Sequence, residues 1–164
     1  MIREIENVFV DFPDNNCFAC HPHNHYGLQL KFFADDETGE VFTRVKPKGY
    51  FAGFPGILHG GIQCALVDEV AFWAMFDRVG KIGLTTKVEM QFSKKVDSNM
   101  TLNVRGKVTR SRGRYVVVDA VIMDENGDEC TKSSVTYFLP NKDVLFQVMG
   151  KERFTGKFLD FIYD

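Results

Sequence analysis

The sequence of 164 residues has almost no net charge, no long apolar run and few cysteines. Its 20 basic and 22 acidic side chains give a formal charge of −2, which excludes an overall field that attracts nucleic acid or an anionic membrane. The longest unbroken apolar stretch, Val70–Phe76, is too short to cross a bilayer, so no membrane association is expected. Met1–Glu6 lacks the basic and apolar segments of a secretory signal, and we expect a cytoplasmic location.

The four cysteines are not expected to form disulfides, because a chain of this length needs no covalent staple and the expected compartment is reducing. Two of them form the segment Cys17-Phe-Ala-Cys20, which His21, His23 and His25 follow. Cys-x-x-Cys-His is the pattern of c-type haem attachment, and both cysteines with two of the histidines could form a tetrahedral zinc site. However, no signal for haem attachment is present, and zinc ligands normally come from two separated pairs. The sequence therefore favours an entry loop whose cysteines pack against a helix, with no metal and no cofactor.

One long helix is predicted, with strands before and after it. It begins near Gly60, runs to Arg78 and ends before Gly80. Its apolar residues occupy nearly every face, which is typical of a helix buried in a core. Alternating or β-branched segments between turn residues predict strands. These are Gly27–Phe33, Val41–Val45, Leu84–Phe92, Thr101–Thr109, Tyr115–Met123 and Glu129–Phe138.

These elements predict an α+β fold in which a curved antiparallel sheet wraps around one long central helix. The last four strands are expected to form a meander, because no helix separates them. The chain has 16 phenylalanines. The four on predicted strands are expected to pack on the helix: Phe32, Phe42, Phe92 and Phe138.

Residues 1–164 are predicted to form a single domain with a core of about 15–140. The tail 141–164 contains four phenylalanines, so it is expected to fold onto the domain or onto a neighbouring subunit. A curved sheet around one helix leaves a strand edge exposed, which predicts a homodimer or a homotetramer built as a dimer of dimers.

The segment His59–Glu69, which reads HGGIQCALVDE, is the densest chemical signal. Gly60 and Gly61 allow a ligand to approach the backbone where the helix begins, and the free N–H groups of a first helical turn favour an oxyanion. Asp68 follows two turns later among apolar neighbours, so burial is expected to raise its pKa unless hydrogen bonds oppose it. Glu69 beside it is the alternative acid.

Together with CFAC and GLQLKF upstream, this segment resembles the hotdog-fold thioesterases of the phenylacetate-degradation type, over roughly residues 15–140. The resemblance implies the same wrapped-helix fold. It also implies hydrolysis of acyl-coenzyme A (acyl-CoA) thioesters at sites shared between two subunits.

The resemblance also implies roles for individual residues. The backbone N–H of Gly60 would polarise the thioester carbonyl, while His59 shapes the turn. Asp68, contributed by the opposite subunit, would act on water as a general base or on the thioester as a nucleophile. A hydroxyl at the start of the next strand would hold the carboxylate or the water. Thr86 and its neighbour Thr85 are near that place, although the best register puts Lys87 there.

The substrate would be held by a few further residues. The basic side chains Arg112, Arg114 and Lys95 would bind CoA phosphates. Gly61 would allow close approach, and Phe54 would line the acyl pocket. The sequence does not specify the acyl group.

Other interpretations of these residues remain open. The glycine turn could merely cap the helix, Asp68 could be a structural acid, and the arginine hairpin could be a solvated surface. A non-catalytic acyl-CoA binding module could use the same pocket. Phe54-Pro55-Gly56 suggests a hotdog acyl dehydratase, but Gly53 stands where those enzymes have a histidine.

Overall fold

Seven strands form one antiparallel sheet around a long helix in the computed structural model, which describes residues 1–164. The strand order is β1-β2-β3-β5-β6-β7-β4, and every neighbouring pair is antiparallel. The strands are β1 Ile2–Ile5, β2 Phe32–Asp35, β3 Glu40–Val45, β4 Leu84–Phe92, β5 Leu102–Arg112, β6 Tyr115–Met123 and β7 Glu129–Phe138. The helices are α1 Gly60–Val79 and α2 Lys142–Met149, with 3₁₀ turns at Gly49–Phe51, Lys151–Arg153 and Gly156–Phe161. The predicted α+β hotdog architecture is confirmed.

Helix α1 is the centre of the core, as its apolar faces predict. Val70 and Trp73 are fully buried, and α1 packs chiefly on β5 and β6. Gly106 on β5 allows this close approach, because a Cβ there would lie 3.4 Å from Val70. The helix ends at Gly80, whose φ of 68° suits a residue without a side chain.

The predicted strand Gly27–Phe33 is largely wrong, since β2 begins at Phe32. Leu28 and Leu30 are buried as the alternation indicates, but Gln29 between them has a φ of 50°. Their N–H groups donate to the carbonyls of Phe18 and Ala19, both over 2.9 Å. The alternation of Leu28 and Leu30 therefore indicates burial against the N-terminal loop, not pairing in the sheet.

The prediction of a four-strand meander is correct for β5, β6 and β7 only. β4 pairs with β7 at the far edge of the sheet instead of joining β5. Helix α1 crosses one face of the sheet, so the chain re-enters the sheet at that edge. As a result, β4 has one free side, and its central residues are more exposed than those of any inner strand.

Only one of the four strand phenylalanines packs on α1 as predicted. Phe32 stacks on Trp73, with ring centroids 5.5 Å apart. Three others differ from the prediction. Phe42 stacks on Phe33, Phe138 contacts Tyr115, and Phe92 is 55% exposed. Strand side chains alternate between faces, so a one-residue error in phase moves a ring to the other side.

The tail, residues 141–164, packs against the same chain. α2 is capped by the Asn141 side chain, which accepts from the Val144 N–H over 3.1 Å. A second, smaller core joins the tail to the N-terminal loop: Phe12, Ile82, Leu145, Phe154, Phe158 and Ile162. Phe161 extends it to the first core, because its ring lies 5.1 Å from that of Phe76. None of the helices combines the length and apolarity that crossing a membrane requires.

Candidate active site

The start of α1 presents a free backbone donor at the surface. His59 caps the helix, and its Nδ1 accepts from the Gly61 N–H over 2.8 Å. The His59 carbonyl accepts from Ile62 and Gln63. The Gly60 N–H has no acceptor within the protein, and Gly60 is exposed. Of the two adjacent glycines, Gly60 is therefore the one whose N–H is available to an oxyanion.

Asp68 is held by two hydroxyl groups from neighbouring strands. Thr85 Oγ1 of β4 donates to Asp68 Oδ1 over 2.9 Å. The phenol of Tyr137 on β7 donates to the Asp68 carbonyl over 2.7 Å and lies 3.1 Å from the same Oδ1. Burial and the charge of Asp68 raise the pKa of Tyr137, so the phenol stays a donor. Asp68 Oδ2 accepts no hydrogen bond from the protein and is the oxygen left for chemistry.

A bulge in β4 decides which threonine reaches Asp68. Thr85 pairs with Tyr137 and Lys87 pairs with Thr136, which leaves Thr86 as the extra residue. The Thr86 hydroxyl donates to the Thr136 carbonyl over 3.1 Å. Of the hydroxyl positions that the sequence offered, Thr85 is the one in contact with the carboxylate.

The two adjacent acids of α1 have different surroundings. Glu69 Oε1 accepts from Trp73 Nε1 over 3.2 Å and lies 3.9 Å from Cys17 Sγ. Burial, with the negative charge of Cys17, raises the pKa of Glu69 to about 7. Glu69 makes no hydrogen bond with Thr85 or Tyr137, and its polar partners are Trp73 and Cys17.

Gly60 and Asp68 are too far apart to act on one atom within a single chain. They lie eight positions apart on α1, which corresponds to about 12 Å along a helix that rises 1.5 Å per residue. A carbonyl that accepts from Gly60 therefore cannot lie within hydrogen-bonding distance of Asp68 of the same chain. The predicted catalytic residues of one chain therefore form two half-sites, namely the backbone donor at Gly60 and the carboxylate at Asp68.

The candidate substrate contacts divide between the two ends of β4. Lys95 is exposed just beyond the end of β4. Its neighbour Val96 accepts from the Leu58 N–H over 2.8 Å, which ties this loop to the start of α1. Arg112 and Arg114 lie at the β5–β6 turn, at the other end.

The individual contacts of these candidates differ. The guanidinium of Arg114 lies 5.1 Å from the ring centroid of Tyr163, while Arg112 is exposed. Phe54 is 79% exposed, in the loop before His59. Neither arginine contacts Asp68.

Tyr137 is the site residue that sequence reasoning missed. It is fully buried, and it neighbours the start of β4 in the sheet. Gly83 allows the chain to pass over it, because a Cβ at Gly83 would lie 3.2 Å from Tyr137 Cβ and 2.8 Å from Met75. The available signal was a tyrosine at an inward position of β7, two residues after the buried Val135.

One group of side chains has the composition of a metal site. Cys17 Sγ, Cys20 Sγ and a Glu69 oxygen lie within 4.8 Å of one another. The neighbouring histidines are not part of this group. It supplies three donors, whereas structural zinc sites use four.

Comparison with known proteins identifies the fold. Residues 55–131 match the family model of the thioesterase superfamily. No curated protein matches the sequence. A crystal structure of a thioesterase superfamily protein aligns with a TM-score of 0.67 and 22% identity, covering 73% of this chain and 58% of that chain. This chain therefore spans less than two thirds of that protein.

Two streptococcal structures are also similar. A Streptococcus mutans protein bound to acetyl CoA aligns with a TM-score of 0.57 and 21% identity, covering 61% of this chain and 80% of that chain. A hypothetical thioesterase from Streptococcus pneumoniae with coenzyme A aligns with a TM-score of 0.58 and 22% identity, covering 64% and 82%. The latter has also been solved as two variants, in which an aspartate or a threonine is replaced by alanine. At these identities the likeness shows the shared hotdog fold.

Proposed function

We propose that this chain, which has the hotdog fold and matches the thioesterase superfamily model over residues 55–131, hydrolyses an acyl-CoA thioester to the free acid and CoA. The observation that carries the proposal is the pair of half-sites on α1: a free N–H at Gly60 and a carboxylate at Asp68 with one unoccupied oxygen. Similar folds bind acetyl CoA and coenzyme A in the two streptococcal proteins, which favours a CoA thioester as the substrate.

Each half-site supplies one part of thioester hydrolysis. The Gly60 N–H, reinforced by the positive end of the α1 dipole, would stabilise negative charge on the carbonyl oxygen. Asp68 Oδ2 would take a proton from the attacking water or attack the carbonyl carbon itself. Thr85 and Tyr137 would fix Asp68 through its other oxygen. The aspartate and threonine chosen for substitution in the pneumococcal protein are the residue types that meet here.

The geometry favours a site built by two subunits. β4 pairs only with β7, so its other side is free to pair with a second β4. Thr85 near the start of β4 contacts Asp68, and the ring of Phe92 at its end lies 3.7 Å from the Cβ position of Gly60. Antiparallel pairing of two β4 strands about their middle would bring Asp68 to the partner's Gly60. This arrangement removes the separation of about 12 Å within one chain.

The same pairing would bring basic side chains to one composite site. Arg112 and Arg114 lie at the Asp68 end of β4, and Lys95 lies at the Gly60 end. In the proposed dimer, the arginines of one subunit and the partner's Lys95 flank a single CoA, whose phosphates they would bind. The exposed ring of Phe54, together with the glycine backbone at Gly61, would border the acyl group.

The test is hydrolysis of a panel of aryl, short-chain and long-chain acyl-CoA thioesters by the wild type and by Asp68→Asn. We expect the variant to lose at least about 100-fold in kcat with at least one substrate, because its amide neither accepts a proton nor attacks. Asp119→Asn is the matched control, since that carboxylate is exposed on the outer face of β6. Unchanged hydrolysis in Asp68→Asn would contradict the mechanism, and binding without hydrolysis by the wild type would identify a non-catalytic acyl-CoA binding module.

A further inference from the structure

Cys17 and Cys20 meet a partly buried carboxylate, Glu69, on a different side of α1 from Asp68. Cys20 Sγ donates to Cys17 Sγ over 3.2 Å, and the Cys20 N–H donates to the same sulfur over 3.3 Å. Glu69 Oε1 lies 3.9 Å from Cys17 Sγ and is held by Trp73. The proposed hydrolysis uses none of these side chains, so their arrangement calls for a separate explanation.

The two thiols are not equivalent. Cys17 is partly exposed, whereas Cys20 is only 7% exposed. The hydrogen bond from Cys20, together with backbone N–H groups of the loop, lowers the pKa of Cys17 to about 6. The hydrogen bond to Cys17 and burial raise the pKa of Cys20. Cys17 is therefore an accessible nucleophile, and Cys20 is a buried thiol in contact with it.

A pocket leads to this pair. It has a volume of about 250 Å³ and separates the N-terminal loop from α1 and the tail. Its polar side consists of Asn15, Cys17, Cys20 and Glu69, and Phe12 is among its apolar walls. One arm of a small disulfide would occupy this space, and one of its sulfurs would meet Cys17 beside a carboxyl group able to accept a proton.

A metal fits the same atoms less well. Only three donors converge, and the nearby histidines do not join them. The two sulfurs are already joined by a hydrogen bond, which Cys20 donates to Cys17 over 3.2 Å. An accessible nucleophilic sulfur, a buried second sulfur in contact with it and a partly buried acid are the components of thiol–disulfide exchange.

We infer that Cys17 and Cys20 form a reversible dithiol–disulfide pair that exchanges with low-molecular-weight disulfides. The Cys17 thiolate attacks one sulfur of a disulfide R–S–S–R, forming a mixed disulfide and releasing one R–S⁻. Cys20 then loses its proton to Glu69 and attacks Cys17 Sγ, which closes the internal disulfide and releases the second R–S⁻. One R–S⁻ is protonated by water, which replaces the proton that Cys17 had already lost, and the other takes the Cys20 proton back from Glu69. R–S–S–R is thus reduced by two electrons to two R–SH as the pair is oxidised.

The test uses the whole reduced protein, incubated with oxidised glutathione or with the smaller cystamine. Of the four thiols, we expect two to disappear, with a mass loss of two hydrogens and a peptide that links Cys17 to Cys20. Dithiothreitol should restore all four. Cys64→Ser and Cys130→Ser are the controls, because each should still lose two thiols.

The single variants separate the two roles. Cys20→Ser should keep one glutathione on Cys17, because no second thiol is present to release it. Cys17→Ser should take up glutathione at least about tenfold more slowly. Retention of all four thiols by the wild type with both reagents would overturn the inference. So would loss confined to Cys64 or Cys130, or one tightly held zinc ion per chain in the isolated protein.

Discussion

At the scale of single residues, the most informative contact is the pair of hydroxyls that share one oxygen of Asp68. Thr85 and Tyr137 both reach Oδ1, which leaves Oδ2 without a protein partner. A carboxylate held through one oxygen keeps a fixed direction for the other. Tyr137 is therefore a positioning residue for the proposed reaction, and its contribution is orientation.

Removing the Tyr137 hydroxyl should lower turnover while leaving substrate affinity nearly unchanged. In Tyr137→Phe the ring keeps its packing, but Asp68 loses one of its two hydroxyl contacts. We expect kcat to fall about 10- to 100-fold, with KM within about twofold. Steady-state kinetics on the best substrate of the acyl-CoA panel checks this. Tyr115→Phe, on the outer face of β6, is the matched control, and equal losses in the two variants would contradict a positioning role.

The reaction of Cys17 with iodoacetamide should depend on pH in a way that separates it from the other thiols. Its pKa of about 6 predicts that the thiolate, and with it the alkylation rate, increases through pH 6 and levels off above about pH 7. Burial raises the pKa of Cys64, so its rate should still be increasing at pH 9. The charges that face Cys17 are those of Cys20 and Glu69. Mass spectrometry of the alkylated peptides measures both rates, and parallel profiles would contradict the assignment.

At this scale, the residues that the sequence predicts correctly are those with a distinctive local pattern. Gly60, His59 and Asp68 stand out because a glycine turn, a cap and an acid in an apolar helix are visible in one segment. Tyr137 and the environment of Glu69 were not visible in the same way. Their partners come from β4, β7 and the N-terminal loop, so only the tertiary structure brings them together.

At the scale of elements, periodicity predicts burial better than it predicts pairing. α1 was predicted almost to its ends because its apolar surface and flanking glycines are local signals. The position of β4 in the sheet was not predicted, because the sequence of a strand does not indicate which strand it pairs with. The alternation at Leu28 and Leu30 likewise reported buried side chains in an irregular segment.

The tail should contribute substantially to stability through its own small core. Phe158 is 6% exposed, and its ring lies 5.0 Å from that of Phe12. Replacing a buried phenylalanine by alanine costs about 3–5 kcal/mol, so Phe158→Ala should lower Tm by roughly 10 °C. Leu159→Ala is the control within the same 3₁₀ turn, because Leu159 is 44% exposed. Thermal unfolding followed by circular dichroism checks the difference, and equal Tm values for the two variants would show that the tail is not anchored as described.

At the scale of the whole molecule, the proposed dimer accounts for both the open edge at β4 and the separation of Gly60 from Asp68. One chain has a free N–H at Gly60 and a free oxygen at Asp68, about 12 Å apart along the same helix. Two chains joined along β4 would satisfy the strand edge and complete two sites together. Light scattering at micromolar concentration should therefore report a dimer or a dimer of dimers, and a monomer would contradict the shared site.

Subunit mixing tests the division of the site directly. Gly60→Pro removes the N–H at the first helical position, where proline is tolerated, and His59 before it already has an extended ψ of 136°. Gly60→Ala keeps the N–H and should remain active, because a Cβ there makes only ordinary contact with Phe92 at 3.7 Å.

Gly60→Pro and Asp68→Asn should each be nearly inactive alone. If the site is shared, their mixed dimer contains one intact site, so random reassociation should recover about a quarter of wild-type activity. No recovery from a mixture in which mass spectrometry detects mixed dimers would place the whole site within one chain.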